Sequence, residues 1–189
     1  LGVHEPAAIV AASMASLAEC RLPGRVETLA NDSRVLVDAA HTQESARALA
    51  EALLELAPEG FDLLLSVSSD KNLDRVLTPL LDRAHRIHAT RADPTRSLAS
   101  AELASRVEAL LGAREGPPGS PPRVDHDEDP ERATLRARAE LSGERILVVA
   151  GSVYLAGIAR RVLGQAADSR ESLPEVLDAG REGGQRDGD

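Results

Sequence analysis

Strand-like and helix-like segments alternate along most of this chain, and few folds can accommodate such an order. The predicted strands occupy residues 26–29, 34–37, 62–67, 86–90 and 145–150, with a short edge strand at Val124. The predicted helices occupy residues 43–56, 72–82, 100–111, 130–141 and 153–163. This order predicts an α/β fold, a three-layer αβα sandwich around a mostly parallel, Rossmann-like sheet.

The turns that follow the predicted strands carry several polar side chains. In a parallel sheet with right-handed crossovers these turns lie on one edge, where helix N-termini and free backbone N–H groups converge. The polar residues expected on this edge are Asp38, His41, Lys71, Arg91, Ser152 and Tyr154. The sequence therefore predicts a ligand site at the carboxyl edge of the sheet.

Composition argues against several classes of partner. Aromatic residues make up 1% of the 189 residues and the formal net charge is −9, so nucleic acid would find few rings to stack on and little positive charge. No apolar run approaches the roughly 20 residues that cross a bilayer. The single cysteine, Cys20, excludes an internal disulfide. We expect a cytoplasmic protein that binds neither nucleic acid nor membrane.

Lys71 is the only lysine among 22 basic residues, and it follows a predicted strand in Ser68-Ser69-Asp70-Lys71. Because Lys and Arg are not equivalent at a tight carboxylate or phosphate site, this position favours binding over a solvated lysine at a helix start. The run Asp125-His126-Asp127-Glu128-Asp129 raises the alternative of a metal site. It precedes a predicted helix, so we interpret it as a solvated, helix-starting acidic cluster and predict no metal ligands.

Four ordered motifs carry a resemblance to a known family: Pro23-Gly24-Arg25-Val26-Glu27, Asp38-Ala39-Ala40-His41, Asp70-Lys71 and Gly151-Ser152-Val153-Tyr154-Leu155. Over about residues 22–163 the chain resembles the C-terminal domain of folylpolyglutamate synthase and dihydrofolate synthase, within the Mur ligase superfamily. The family pattern reads Pro-Gly-Arg, Asp-Gly-Ala-His, Asp-Lys-Asp and Gly-Ser-Leu-Tyr. The departures are Ala39 for glycine, Asn72 for aspartate and Thr42-Gln43 for Asn-Pro.

The resemblance implies an ATP-dependent ligase that joins L-glutamate to a folate-type acceptor through an acyl phosphate. ATP and Mg²⁺ would be held mostly by a central ATPase domain, whose Gly-Lys-Ser phosphate loop has no counterpart in this sequence. Residues 1–21 would be the end helix of that domain and residues 22–164 the glutamate-ligase domain. Composition predicts a mostly disordered acidic tail at residues 165–189. The isolated chain is expected to be inactive.

The resemblance also implies roles for individual residues. The nucleotide would contact Arg25, Asp38 and His41. Glutamate would contact Lys71, Ser152 and Tyr154, and the catalytic positions would be His41 and Lys71. The residues taken by themselves also allow a surface arginine, a structural histidine and a packed tyrosine, with Asp38 and Ser152 as helix caps.

Three other functions fit the same pattern. The chain is alternatively a non-catalytic remnant that binds a small anion, or a Mur-type ligase domain for another acceptor such as a peptidoglycan precursor. An α/β domain unrelated to ligases is the fourth interpretation.

Overall fold

A six-stranded sheet forms the centre of the molecule. The computed structural model describes residues 23–113 and 121–171, with side chains through residue 164. The strands are β1 (Glu27–Leu29), β2 (Asp32–Val37), β3 (Phe61–Leu65), β4 (Ala84–Thr90), β5 (Arg123–Asp127) and β6 (Ile146–Ala150). Their order across the sheet is β1-β2-β6-β3-β4-β5, and all neighbouring pairs are parallel except β1 and β2.

Helices cover both faces of this sheet. They are α1 (Gln43–Leu56), α2 (Leu73–Leu81), α3 (Ser100–Gly112), α4 (Pro130–Ala139) and α5 (Val153–Glu171). Helices α1, α2 and α3 pack against the face that carries Leu63 and Leu65, whereas α4 and α5 pack against the face that carries Leu64. Successive β3 side chains thus enter opposite layers, as the period of two in a strand requires. The predicted three-layer αβα sandwich is confirmed.

Strand β3 lies inside the sheet, and all five of its residues are buried. Burial on both faces explains its nearly continuous apolar sequence. The exception is Asp62, whose carboxylate is fully buried and lies 3.3 Å from Arg145 Nε. Burial raises the pKa of Asp62 above its ordinary value, and the nearby Arg145 charge opposes that rise.

Local sequence signals set most helix ends. Helix α1 has the predicted bounds, because Thr42 and Ser45 form a reciprocal capping box at its start. Helix α3 begins without a side-chain cap from its own N-cap residue, and the Ser100 backbone N–H donates to Glu128 Oε2 at 2.9 Å. Helix α5 continues to Glu171, beyond its predicted end at residue 163, so residues 165–171 are helical although the tail was expected to be mostly disordered.

The acidic run at residues 125–129 is more than a solvated cluster. Asp125 and Asp127 lie in β5, where they are half-buried and pair with Arg86 at 2.8 Å and with Arg132 at 2.6 Å. The expectation of solvation is wrong for both residues, since each is tied to a guanidinium. Asp129 does start a helix, because its side chain caps α4.

Some expectations concern residues outside the described ranges. Residues 1–21, expected to form the end helix of a central domain, and the tail from residue 172 onward lie outside the described part of the chain. The division into 1–21, 22–164 and 165–189 therefore stays a prediction. None of the helices in the described ranges combines the length and apolarity that a membrane span requires.

Candidate functional site

A cleft of ≈ 490 Å³ opens at the carboxyl edge of the sheet. We call it the carboxyl-edge cleft. It is lined by His41, Ser68, Ser69, Asp70, Lys71, Thr95, Arg96, Gly151, Ser152, Val153 and Tyr154. Its walls are the turns that follow β2, β3, β4 and β6, so the crossover topology brings four separate loops to one place.

Four of the six predicted site residues line this cleft: His41, Lys71, Ser152 and Tyr154. His41 precedes α1, Lys71 precedes α2, and the other two lie at the start of α5. The residues come together although they are far apart in sequence, because β2, β6 and β3 are adjacent and parallel. Their roles in binding and catalysis stay predictions.

Lys71 is presented by a tight turn after β3. Its backbone N–H donates to the Ser68 carbonyl at 3.2 Å, and its Nζ lies 3.2 Å from Asp70 Oδ2. The hydrogen bond from Lys71 holds the pKa of Asp70 below its ordinary value. Both side chains are partly exposed, at 37% for Lys71 and 69% for Asp70. The Lys71–Asp70 ion pair is therefore accessible to a ligand in the cleft.

The His41 ring is held in one orientation. Its Nδ1 lies 2.8 Å from the Ala39 carbonyl oxygen, so this nitrogen carries the proton, because a carbonyl only accepts. The backbone N–H of His41 donates to Ser45 Oγ at 3.1 Å. Nε2 is thereby the nitrogen left for a ligand, and in the neutral ring it is an acceptor.

The turn before α5 depends on Gly151. This residue has φ +92°, and a Cβ there would lie 2.4 Å from the Ser66 carbonyl oxygen. The next residue, Ser152, is buried, and its Oγ accepts from the Leu155 N–H at 3.4 Å, which confirms the capping interpretation. Tyr154 is half exposed and lines the cleft, so it is not a buried packing residue. Glycine here allows the chain to bring the α5 N-terminus close to β3.

Asp38 lies below the cleft, outside its lining. Its carboxylate is buried and accepts two backbone N–H groups, from Val26 to Oδ2 at 2.8 Å and from Ala40 to Oδ1 at 2.7 Å. The helix-capping alternative is wrong, because Thr42 caps α1. Val26 has φ +44°, a strained conformation for a β-branched residue, and the bond to Asp38 stabilises it. Asp38 therefore shapes the turn that carries Arg25.

Arg25 itself is exposed on that turn and does not line the cleft. The turn is closed by the Ala39 N–H, which donates to the Gly24 carbonyl at 2.7 Å. Arg91, expected at the same edge, also lies outside the lining and pairs with Glu128 at 3.0 Å. The nucleotide contact of Arg25 stays a prediction.

The departures from the family pattern leave the local structure intact. Val26 is the one non-glycine residue with positive φ in the described ranges, so Ala39 adopts an ordinary conformation without a glycine. Asn72 caps α2 through a 3.3 Å bond from the Arg75 N–H, a role that asparagine and aspartate fill equally well. Thr42 likewise caps α1.

Sequence reasoning missed Thr95 and Arg96, which lie in the loop after β4. Asp93 Oδ1 accepts from both their backbone N–H groups, at 2.8 and 2.9 Å, and the Arg96 carbonyl accepts from the Ser69 N–H at 2.9 Å. The hydrogen bond from the Thr95 side chain holds the pKa of Asp93 below its ordinary value. An Asp93-Pro94 turn signal directly after a predicted strand was the available clue.

Comparison with known proteins identifies the domain. The sequence pattern of the family described as Mur ligase, glutamate ligase domain, matches residues 24–153, more than half of the chain. The chain belongs to this family. Comparison with curated protein sequences gives no match. The fold and family expected from the four motifs are thus confirmed for this glutamate ligase domain.

Solved structures with a similar fold are ligases. Folylpolyglutamate synthase from Mycobacterium tuberculosis, complexed with ADP, is 30% identical at a TM-score of 0.66, over 82% of this chain and 35% of that chain. FolC from E. coli, in complex with DHPP and ADP, is 21% identical at 0.66, over 91% and 36%. A bifunctional folylpolyglutamate synthase/dihydrofolate synthase with Mn, AMPPNP and L-glutamate bound is 20% identical at 0.62, over 76% and 32%. The chain spans about a third of the length of these proteins.

Proposed function

We propose that this glutamate ligase domain is the C-terminal part of an ATP-dependent ligase that joins L-glutamate to a folate-type acceptor in the cytoplasm. The observation that carries the proposal is the convergence of the Lys71 turn and the Gly151-Ser152 turn on one cleft. The similar ligases support it, since one binds L-glutamate with a nucleotide and another binds ADP at 30% identity. The remainder of such an enzyme would supply the phosphate loop that this sequence lacks.

Glutamate fits the charge and size of the carboxyl-edge cleft. Lys71 and Arg96 are the two cations in its lining, and each suits one carboxylate of the amino acid. The N-terminus of α5, with Ser152 and the half-exposed Tyr154, adds hydrogen-bond donors to the same lining. These groups orient glutamate and fix its position before the bond forms.

The nucleotide is assigned to the other side of the cleft. Arg25 is exposed on the strained turn that Asp38 holds, and in this proposal its guanidinium binds the phosphates of ATP held by a central domain. His41 lines the same cleft, and its Nε2 is the ring nitrogen left for a ligand. Mg²⁺ does not fit this cleft, because its lining holds a single carboxylate, Asp70, beside the two cations Lys71 and Arg96. The proposal therefore places the metal in the central domain.

The reaction proceeds in two transfers. The acceptor carboxylate takes the terminal phosphoryl group of ATP and releases ADP, which leaves an acyl phosphate. The glutamate amine then attacks the acyl carbon and loses a proton, the C–N bond forms, and the C–O bond to phosphate breaks through a tetrahedral intermediate. This domain contributes by positioning the amine and by balancing the carboxylate charges of glutamate.

The test uses the full-length ligase that contains this chain. ADP release is measured with ATP, Mg²⁺, a reduced folate and L-glutamate, each omitted in turn. We expect release to require both folate and glutamate. Lys71→Met should raise the KM for glutamate about tenfold or more while changing the KM for ATP little, because it removes a charged hydrogen bond to one substrate. Arg47→Met, which removes an exposed cation of α1 outside the cleft, is the matched control and should behave as wild type.

The alternative functions predict different outcomes in the same experiments. Release that depends on a muramyl precursor identifies a ligase for a peptidoglycan acceptor. Binding of glutamate without any ATP turnover by the full-length protein identifies a small-anion-binding module. ATP turnover by the isolated chain would contradict the expectation that it is inactive without the central domain.

A further inference from the structure

The lining of the carboxyl-edge cleft contains a negative charge as well as two positive ones. Asp70 is the one acidic side chain in its lining, beside Lys71 and Arg96. The Asp70 carboxylate is 69% exposed, so its surface is open to a ligand even while Oδ2 contacts Lys71 Nζ at 3.2 Å. The turn that carries it is closed by the Lys71 N–H bond to the Ser68 carbonyl. The cleft lining thus presents an accessible anion together with its two cations.

This pattern complements an amino dicarboxylate. Such a ligand carries two carboxylates and one ammonium, and the cleft offers two cations and one anion in return. A plain dicarboxylate would satisfy the cations and meet repulsion at Asp70. We propose that Asp70 binds the ammonium group of the incoming amino acid and so makes the cleft selective for α-amino dicarboxylates. The inference rests on the proposed function and assigns one more residue to it.

The ion pair with Lys71 does not prevent this role. Pairs between exposed neighbouring side chains are weak, so Lys71 can exchange its contact with Asp70 for a ligand carboxylate at little cost. The ligand ammonium then replaces Lys71 as the cation that pairs with the Asp70 carboxylate. Because the hydrogen bond from Lys71 lowers the pKa of Asp70, the carboxylate is ionised at neutral pH. It therefore acts as an ion-pairing group rather than as the acceptor of the proton that the amine loses.

No other described acid near the cleft suits the task. Asp93 belongs to the neighbouring loop, but one of its oxygens accepts from the Thr95 N–H, the Thr95 hydroxyl and the Arg96 N–H. It also lies outside the cleft lining. Asp38 is buried and bonded to two backbone N–H groups. Asp70 is left as the carboxylate that a ligand can reach.

The experiment compares ligands that differ in one group. The 189-residue chain is titrated with L-glutamate and with glutarate, which has the same carboxylates and chain length but no ammonium, by ¹H–¹⁵N NMR. Wild type should bind glutamate about tenfold or more tightly than glutarate, which corresponds to a charged hydrogen bond. In Asp70→Asn that preference should fall to about twofold or less. Glu44→Gln removes an exposed negative charge at the start of α1 and should keep the preference.

The titrations distinguish a failure of the Asp70 role from a failure of the glutamate site itself. Equal affinity for both ligands in wild type, or a preference that survives Asp70→Asn, overturns the role of Asp70 and leaves the glutamate site standing. Binding of neither ligand overturns the glutamate site itself, and the role of Asp70 with it. Spectral dispersion of each variant shows that it is folded, and Asp70→Ser, which should also lose the preference, provides a second substitution at the same position.

Discussion

His88 makes the stability of this domain depend on pH in a window that the surface carboxylates do not share. The residue lies in β4 under α4 and is 3% exposed. Among the described residues its Nε2 has no hydrogen-bond partner, and it lies 3.9 Å from Glu140 Oε2. Burial, together with the Arg86 charge, lowers the pKa of His88 to about 4, although Glu140 and Asp125 act in the opposite direction. The ring is therefore neutral near pH 7, and its contact with Glu140 is not an ion pair there.

The sign and size of the effect follow from proton linkage. An unfolded chain binds a proton at this histidine below about pH 6.5, whereas the folded chain does so only below about pH 4. Unfolding thus takes up a proton between these values, and stability falls as the pH drops through the window. The loss is about 2 kcal/mol between pH 7.5 and pH 5, and about 3 kcal/mol once the pH is below both pKa values.

Urea unfolding followed by far-UV circular dichroism measures this loss, since the chain has no tryptophan. His88→Gln keeps a neutral polar side chain and cannot titrate, so its free energy of unfolding should fall about 2 kcal/mol less between pH 7.5 and pH 5. Asp62, whose pKa is raised, changes stability in the opposite direction, but it is present in both proteins and cancels in the difference. Parallel curves for wild type and variant would refute the reasoning.

Three further substitutions test the site. Asp38→Ala should lower the free energy of unfolding by about 2 kcal/mol in urea, because the Val26 and Ala40 N–H groups lose a charged acceptor; an unchanged midpoint would contradict this. Gly151→Ala should cost on the order of 3 kcal/mol, seen as a lowered Tm, because of its positive φ and the clash with the Ser66 carbonyl. Ser152→Ala should cost about 1 kcal/mol as a lost cap, and in the full-length ligase it should raise the KM for glutamate more than that for ATP; equal effects on both would mean that the role of Ser152 is misassigned.

The three-layer arrangement of helices and sheet could be predicted from the spacing of apolar residues and from the order of strands and helices along the chain. Helix α1 was predicted with its observed bounds, because its apolar spacing and its Thr42 cap involve residues within a few positions of one another. The parallel order of strands follows from alternation and from the handedness of crossovers. That order is sufficient to bring Lys71 and Tyr154 to one edge. The sequence by itself therefore determined the fold class, the edge that holds the site and most of the cleft.

Tertiary structure alone decided which polar and charged groups became partners. Arg86 and Asp125 are 39 positions apart, and Ser69 meets Arg96 across 27 positions. The Asp38 carboxylate accepts from the Val26 N–H across 12 positions and stabilises Val26 at a positive φ, which its β-branched side chain does not predict. Such contacts depend on which loops the crossovers bring together and on how deeply each side chain is buried. The sequence around His88 does not predict its lowered pKa, because burial and the neighbouring charges that cause it exist only in the folded molecule.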